Sequence, residues 1–134
     1  MIAILMLEDE ASVAGLLRHM LKEYAVIGAT SAEQAIREFH ERVPAIELLI
    51  ADVTLPVSSG IPVALRLRHT EPGLPVILTS GYPMNAWSER ALADLARLGL
   101  SSVRFLQKPF RSRDVQEAVR ELVRGSKTGR STTA

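Results

Sequence analysis

Short apolar runs and amphipathic segments alternate along this chain. Runs rich in aliphatic and β-branched residues predict five buried strands, at Ile2–Leu7, Ala25–Ala29, Ile46–Ala51, Val76–Thr79 and Val103–Leu106. Between and after these runs, apolar residues recur three or four positions apart, which predicts helices. The clearest helical stripe consists of Val115, Ala118, Val119, Leu122 and Val123. A fourth helix is predicted over about Ala86–Leu98, with its end at Gly99.

The repeated alternation of strand and helix predicts an α/β fold, in which helices cover both faces of a doubly wound parallel sheet. Strands in such a sheet are buried on both sides, which fits their nearly continuous apolar character. The 134 residues show no internal repeat and suit one domain, expected over 1–124. The last segment, GSKTGRSTTA, is small, polar and basic, so residues 125–134 are expected to form a disordered tail.

Composition argues against several classes of function. Lys and Arg total 16 against 15 Asp and Glu, and the formal net charge of +1 gives no reason to expect a nucleic-acid or anionic-membrane partner. The absence of cysteine excludes disulfides, thiol catalysis and cysteine-based metal sites. The apolar start MIAILML has no basic leader and is too short for a signal peptide or a membrane span, so a cytoplasmic location is expected.

Chemically reactive side chains follow four of the five predicted strands. Acids at positions 8–10 follow the first strand, Asp52 follows the third, Thr79 and Ser80 end the fourth, and Lys108 follows the fifth. Ligands of an open parallel sheet bind at the carboxyl ends of its strands. Each residue alone has an ordinary explanation as a turn or helix-start residue. Their coincidence at four strand ends predicts a functional site.

The residue types at this predicted site point to phosphoryl chemistry. Clustered carboxylates repel one another unless a cation lies between them. Ligand sets made only of oxygen atoms select a hard cation, most naturally Mg²⁺. A carboxylate beside Mg²⁺ and the ammonium of Lys108 is suited to attack a phosphoryl group, because both cations stabilise the oxygens in transfer. Asp52 is the predicted nucleophile.

Four motifs together resemble the receiver domain of two-component response regulators. They are ILMLEDE, LLIADVTLP with a following glycine, LPVILTSGY and FLQKPF, and the resemblance covers about residues 2–124. It implies a flavodoxin-like five-stranded parallel sheet in the order 2-1-3-4-5, with five helices. It also implies a phosphorelay protein rather than an enzyme, apart from self-catalysed phosphoryl transfer and autodephosphorylation.

The resemblance also implies a role for each site residue. Asp52 would accept a phosphoryl group from a histidine kinase or phosphotransfer protein. Asp9 would bind Mg²⁺ directly, Glu8 would bind it through water, and the backbone carbonyl of Thr54 would complete the protein ligands together with Asp52. Lys108 would contact the phosphoryl group.

Two further positions match the switch residues of the family. The family's spacing, counted from Pro75, places the switch hydroxyl at Ser80 rather than at Thr79, which ends the strand. Phe105 matches the aromatic switch position three residues before Lys108. As a phenylalanine it can pack inward or outward but has no hydroxyl, and an ordinary strand role is an equal alternative.

The segment at 82–102 departs from the common pattern. It makes the spacing from Ser80 to Lys108 longer than in compact members, so a longer fourth helix or loop is expected there, with a role in partner choice. The chain also resembles receivers attached to hybrid sensor kinases. Trp87, placed on the fourth helix, is expected either to pack in the core or to anchor a partner. The three histidines, His19, His40 and His69, are expected at the surface.

The favoured hypothesis is a signalling module that contacts a downstream protein through the face formed by helix 4, strand 5 and helix 5. Under this hypothesis we expect no direct contact with nucleic acid or membrane, and a phosphorylation-dependent dimer is compatible with it. One alternative is a small Mg²⁺-dependent aspartyl phosphatase, although Thr54 stands where that chemistry needs a second acid. The other alternative is a pseudo-receiver that binds partners without being phosphorylated.

Overall fold

The computed structural model describes residues 2–41, 45–54 and 60–133, with side chains described as far as residue 125. Strands and helices alternate along the chain as the apolar pattern predicts. In chain order, the elements are β1 (Ala3–Leu7), α1 (Ala11–Met20), β2 (Ala25–Ala29), α2 (Ala32–Glu41), β3 (Leu48–Asp52), α3 (Gly60–Thr70), β4 (Val76–Ser80), α4 (Glu89–Leu98), β5 (Val103–Gln107) and α5 (Ser112–Thr133).

The five strands form one parallel sheet in the order β2-β1-β3-β4-β5. This confirms the predicted fold class and strand order. The chain leaves β1 for the sheet edge at β2 and then returns to β3 on the other side of β1. The carboxyl ends of β1 and β3 therefore meet at the point where the winding direction reverses, which is where such sheets bind ligands.

Apolar side chains cover both faces of the sheet. Alternate residues of a strand point to opposite faces, so Leu5 belongs to one core cluster while its neighbours Ile4 and Met6 belong to the other. The first cluster lies under α2, α3 and α4, and the second lies under α1 and α5. In α5, all five residues of the predicted stripe are buried: Val115, Ala118, Val119, Leu122 and Val123.

The segment between β4 and α4 differs from its prediction. A short 3-10 helix, Met84–Ala86, precedes α4, and α4 begins at Glu89, three residues later than predicted. The side chain of Ser88 explains this start, because its Oγ accepts a hydrogen bond from the backbone N–H of Ala91 at 3.1 Å and so caps the helix. A loop that contains the 3-10 helix therefore connects β4 to α4, and α4 itself has 10 residues.

The C-terminal end of α4 is held by an arginine that the sequence pattern did not identify. The guanidinium of Arg68, on α3, donates hydrogen bonds to the backbone carbonyls of Leu74, Leu98, Ser101 and Ser102 at 2.9, 3.2, 3.0 and 3.4 Å. The last carbonyls of a helix have no partner within the helix. Arg68 therefore fastens the end of α4 and the start of β5 to the end of α3.

The structure also bears on the predictions made for surface residues and for membrane-spanning helices. The three histidines are exposed, as predicted. The boundary of the domain near residue 124 and the disorder of 125–134 stay predictions. Val57, Ser58 and Ser59, which follow Pro56 in the sequence, lie outside the described residues. Within the described ranges, no helix is both long enough and apolar enough to cross a membrane.

Candidate functional site

The carboxyl edge of the sheet brings the predicted residues of four strands together. Glu8 and Asp9 follow β1, Asp52 and Ser80 end β3 and β4, and Lys108 follows β5. Glu8, Asp52 and Ser80 are buried, whereas Asp9 is exposed. Two buried acids at one edge of a sheet require a compensating positive charge.

Lys108 supplies that positive charge. Its Nζ lies 2.9 Å from Asp52 Oδ2 and 2.9 Å from Glu8 Oε1, and its side chain is only 16% exposed. The backbone directs the lysine to this position, because the N–H of Lys108 donates to the carbonyl of Ser80 at 2.7 Å and prolongs the pairing of β4 with β5. The peptide bond from Lys108 to Pro109 is cis.

Asp52 is held through both carboxylate oxygens. Its Oδ1 accepts hydrogen bonds from the backbone N–H of Thr54 at 2.8 Å and from the Thr54 hydroxyl at 2.7 Å, while Oδ2 accepts from Lys108. The hydroxyl contact was missed at the sequence level, where only the carbonyl of Thr54 was considered. An aspartate side chain commonly accepts a hydrogen bond from the backbone N–H two residues on, so the sequence carried a usable signal for the backbone contact of Thr54 with Asp52 but not for the hydroxyl contact.

Glu8 is held differently. Its Oε2 accepts a hydrogen bond from the backbone N–H of Glu10 at 3.1 Å. Its Oε1 is buried and close to the lysine, but it makes no hydrogen bond of acceptable geometry within the described part of the chain. The contact between Glu8 Oε1 and Lys108 is therefore an ion pair whose angles do not suit a hydrogen bond. The lone pairs of this oxygen can still bind another cation.

The environment moves the pKa values of the two acids in opposite directions. Burial raises the pKa of Glu8, and the nearby charge of Asp52 adds to that rise, while the contacts with Lys108 and the N–H of Glu10 only partly oppose it. Burial also acts to raise the pKa of Asp52. There, however, the hydrogen bonds from Thr54 and Lys108 outweigh burial, so the pKa of Asp52 lies below its ordinary value.

The pKa of Lys108 lies above its ordinary value. Burial alone would lower it, but the contacts with Asp52 and Glu8 outweigh that effect. At neutral pH the lysine is therefore charged. The resulting site holds an ionised, hydrogen-bonded carboxylate at Asp52 beside a fixed ammonium.

The three acids Glu8, Asp9 and Asp52 fit a hard divalent cation. One carboxylate oxygen of each lies within 4.8 Å of the others, and Glu8 Oε1 is a buried acceptor without a hydrogen bond. Carboxylate oxygens with no nitrogen or sulfur donor are the ligands that Mg²⁺ prefers. The role of the Thr54 carbonyl as a further ligand stays a prediction.

The two candidate switch hydroxyls differ in their surroundings. Ser80 Oγ accepts a hydrogen bond from the backbone N–H of Tyr82 at 3.0 Å. Thr79 lies in the sheet opposite Asp52, and its carbonyl accepts from the N–H of Val53 at 2.8 Å. Both residues are buried. The choice of Ser80 over Thr79 as the switch residue stays a prediction.

The aromatic side chains of Trp87 and Phe105 contact each other. The rings of Trp87 and Phe105 meet edge to face, with centroids 5.1 Å apart and an interplanar angle of 80°. Trp87 is 8% exposed and belongs to the core, so core packing is the correct alternative and partner anchoring is not. It precedes α4 rather than lying on it. Phe105 is half-buried and packs inward; its switching role stays a prediction.

A glycine sets how closely α3 approaches the site. A Cβ added at Gly60 would lie 2.6 Å from the Cβ of Ala51 and 2.7 Å from the carbonyl oxygen of Asp52. Only a residue without a side chain allows the first turn of α3 to pass so close to the end of β3. This glycine is the one that closes the LLIADVTLP motif.

Comparison with known protein families assigns the chain to one of them. The model of the response regulator receiver domain matches residues 4–120. The chain belongs to this family. The recognition made from the four sequence motifs is therefore confirmed.

Curated relatives of this receiver domain are considerably longer proteins. It is 30% identical over 122 residues to the sensor kinase CckA of Brucella abortus, which covers 90% of this chain and 12% of that protein. It is 29% identical to the alkaline phosphatase synthesis transcriptional regulatory protein PhoP of Bacillus subtilis, covering 92% and 49%. It is 30% identical to the transcriptional regulatory protein CpxR of Escherichia coli K12, covering 92% and 50%. The chain thus spans half or less of the length of these relatives.

Solved structures agree with the fold. A CheY-like response regulator receiver domain protein from Methanospirillum hungatei superposes with a TM-score of 0.82 at 20% identity, covering 96% of this chain and 98% of that one. NtrX from Brucella abortus, solved in complex with ATP, superposes with a TM-score of 0.81 at 24% identity, covering 98% and 29%. At these identities the similarity supports the fold alone.

Proposed function

We propose that this receiver domain accepts a phosphoryl group on Asp52 from a histidine kinase or phosphotransfer protein. The observation that carries the proposal is the contact between the buried carboxylate of Asp52 and the ammonium of Lys108 at 2.9 Å. The lowered pKa of Asp52 keeps the carboxylate ionised at neutral pH, as a nucleophile must be.

The proposed transfer exchanges one bond to phosphorus for another. A carboxylate oxygen of Asp52 attacks phosphorus and forms an oxygen–phosphorus bond. The bond from phosphorus to the donor imidazole nitrogen breaks, and its electron pair stays on that nitrogen. Lys108 places its positive charge beside the transferring oxygens, and the Thr54 contacts orient the attacking group. Glu8, Asp9 and Asp52 would hold Mg²⁺, which would supply further positive charge near the phosphoryl oxygens.

The proposed output is protein–protein contact through the surface formed by α4, β5 and α5. On this surface Leu92 of α4 is exposed, and Arg104 of β5 forms an exposed ion pair with Glu121 of α5. Apolar and charged side chains on one surface suit a protein partner. The expected partners are a kinase or phosphotransfer protein upstream and a target protein downstream, with phosphorylation-dependent dimerisation as a further proposal. Direct contact with nucleic acid or membrane is not proposed for the domain.

The proposed role is that of a phosphoacceptor rather than an enzyme acting on separate substrates. Position 54 favours this over the phosphatase alternative, because its hydroxyl donates to Asp52 at 2.7 Å and no acid stands there to protonate a leaving group. The names of the relatives include both a sensor kinase and transcriptional regulators.

The test is phosphorylation by acetyl phosphate in the presence of Mg²⁺, followed by intact-mass spectrometry. The wild type is expected to gain one phosphoryl group, which hydroxylamine then removes as it does from an acyl phosphate. Asp52→Asn is expected to gain none, whereas Asp114→Asn, at an exposed acid of α5, is expected to behave as wild type. An unmodified wild-type mass under conditions that label another receiver domain would support the pseudo-receiver alternative. Sustained turnover of a phosphate ester that depends on Asp52 would support the phosphatase alternative.

A further inference from the structure

Strand β2 forms one edge of the sheet, because among the described strands it pairs with β1 alone. Its sequence, AVIGA, contains no charged residue and no proline. Natural sheets usually carry charges, prolines or bulges on an exposed edge strand, because an unprotected edge can pair with another chain. The residues of β2 therefore do not themselves protect this edge.

Two residues of β2 present their backbone groups to the open side of the edge. The N–H of Ala25 and the carbonyl of Ala29 form hydrogen bonds with the residues that flank β1, at 2.9 and 3.0 Å, so both residues face β1. Backbone groups of alternate residues in a strand point to opposite sides. Val26 and Gly28 therefore direct their N–H and carbonyl groups away from β1, toward the open side.

The side chain of Arg18, on α1, reaches this open side. Its Nη1 donates a hydrogen bond to the carbonyl of Val26 at 3.2 Å. A Cβ added at Gly28 would overlap Nη2 of the same guanidinium and would lie 3.5 Å from its Cζ. The guanidinium can lie across the strand only because residue 28 has no side chain.

Arg18 also places a positive charge at the edge. The residue is exposed, and its guanidinium forms no ion pair with a carboxylate of the described residues. An arginine side chain stays protonated in proteins. A second copy of the chain brought against β2 would carry the same charge to the same place, and like charges brought together oppose association.

The open edge is complementary to itself. If two copies of β2 lay antiparallel about a twofold axis through Ile27, Val26 of one copy would face Gly28 of the other. Residues paired in this way exchange two N–H···O hydrogen bonds. The two pairs would use every outward N–H and carbonyl of both residues. One of the required acceptors is the Val26 carbonyl, which Arg18 already occupies.

We propose that Arg18 shields the β2 edge from β2 of a second copy of this chain, and that Gly28 provides the gap in which the guanidinium lies. The guanidinium occupies an acceptor that edge pairing requires, and it holds positive charge where the second copy would approach. The inference does not depend on phosphorylation of Asp52, and its tests use the unphosphorylated chain.

Self-association is measured by sedimentation velocity over a series of protein concentrations. Arg18→Ala is expected to associate about tenfold more tightly than the wild type, because it frees the Val26 carbonyl and removes the repulsion. Arg66→Ala, at an exposed arginine of α3, removes the same charge elsewhere and is expected to match the wild type. Circular dichroism and urea denaturation of each variant check that the associating species is folded.

Gly28→Ala separates the position of the guanidinium from its presence. The added methyl group displaces the end of a flexible side chain, while the charge stays on α1. This variant is expected to associate more tightly than the wild type and less tightly than Arg18→Ala. In the double variant the methyl group has no guanidinium to displace, so association is expected to equal that of Arg18→Ala. Additive effects would overturn the role given to Gly28.

Amide hydrogen exchange locates the contact between the copies. Dilute and concentrated samples of Arg18→Ala are compared in peptides covering residues 25–29 and 103–107, which represent the two edge strands of the sheet. The first peptide is expected to exchange more slowly in the concentrated sample, and the second is expected to stay unchanged. Protection at 103–107 alone would place the association at β5 and overturn the inference.

The remaining outcomes are also decisive. An Arg18→Ala variant that stays monomeric over the whole concentration series overturns the shielding role. Equal association of Arg18→Ala and Arg66→Ala would show a general effect of charge and would overturn it as well. Failure of the wild type to become phosphorylated would overturn the proposed function and leave this inference unaffected.

Discussion

Lys108 and Asp52 are 56 positions apart in sequence, yet the ammonium of the one lies 2.9 Å from a carboxylate oxygen of the other. Strand β4 separates β3 from β5 in the sheet, and both side chains reach across its carboxyl end. The same ammonium lies 2.9 Å from Glu8, which follows β1. The ammonium of Lys108 therefore joins the ends of three strands.

Replacing Lys108 by methionine is expected to destabilise the fold, because it leaves two buried acids without their cation. Removing one partner of a buried ion pair typically costs about 3 kcal/mol. The measurement is the free energy of unfolding in urea, made in the presence of EDTA at neutral pH. Lys22→Met, at an exposed lysine, is the matched control and is expected to change this free energy by less than about 0.5 kcal/mol.

The destabilisation by Lys108→Met is expected to depend on pH. In the wild type, the lowered pKa of Asp52 stabilises the fold above its ordinary pKa of about 3.9, and the raised pKa of Lys108 stabilises it below about 10.4. The first contribution is lost as pH falls through the folded pKa of Asp52, and the second as pH rises through that of Lys108. In the variant the unpaired acids take up protons more readily, so its deficit should shrink as pH falls below about 5. A deficit that stays constant from pH 4 to 8 would contradict this account.

Addition of Mg²⁺ is expected to raise the melting temperature, because a ligand that binds only the folded state stabilises it. Asp9→Asn is expected to weaken this response while leaving the melting temperature in EDTA close to that of the wild type, since Asp9 is exposed. Glu10→Gln removes a neighbouring exposed acid outside the three-acid cluster and should keep the full response. Identical Mg²⁺ titrations of Asp9→Asn and the wild type would argue against Asp9 as a ligand.

Gly60→Ala is expected to destabilise the protein by about 2 kcal/mol, because the added methyl group overlaps Ala51 and the Asp52 carbonyl. Gly15→Ala is the matched helical control. Nothing lies within 4 Å of a Cβ added at Gly15, so this change is expected to stabilise α1 by up to about 1 kcal/mol. Urea denaturation of the two variants measures both effects. Equal stability of the two variants would show that α3 moves away from β3 without cost.

Arg68→Met is expected to lower the free energy of unfolding by about 2 kcal/mol, because four carbonyl groups lose their donor. Arg66→Met, at an exposed arginine on the same helix, is the control and should have little effect. Hydrogen exchange of the amides at 99–103 is expected to accelerate in the Arg68 variant alone. Unchanged exchange there would mean that water replaces the guanidinium without loss.

Local sequence patterns were sufficient for the order of elements and for the limits of the strands to within two residues. The strand at Ala25–Ala29 was predicted with its observed limits, and the fourth helix ends at Leu98 with Gly99 next to it, as expected. These features depend on side-chain periodicity and on helix-end preferences, which act between residues close in sequence. The start of α4 was placed too early, because a serine cap and a preceding 3-10 turn compete with the apolar pattern there.

The position of the site also followed from the sequence, since parallel strands bring their carboxyl ends to one edge. Asp52, the acids after β1 and Lys108 could be named because each follows an apolar run. The partners of individual atoms could not be named in this way. Three such details depend on side-chain rotamers and on the course of the loops. They are the oxygen of Glu8 that faces Lys108, the hydroxyl contact of Thr54 and the carbonyls bound by Arg68.

The sequence by itself therefore determined which residues reach the reactive edge of the sheet. The periodicity of apolar residues and the order of the strands along the chain are both properties of the sequence. Only the tertiary structure decided that Trp87 lies in the core against Phe105 and that one lysine serves two acids. Those contacts join residues from separate strands and loops. Their distances result from the packing of both faces of the sheet at once, which no local segment encodes.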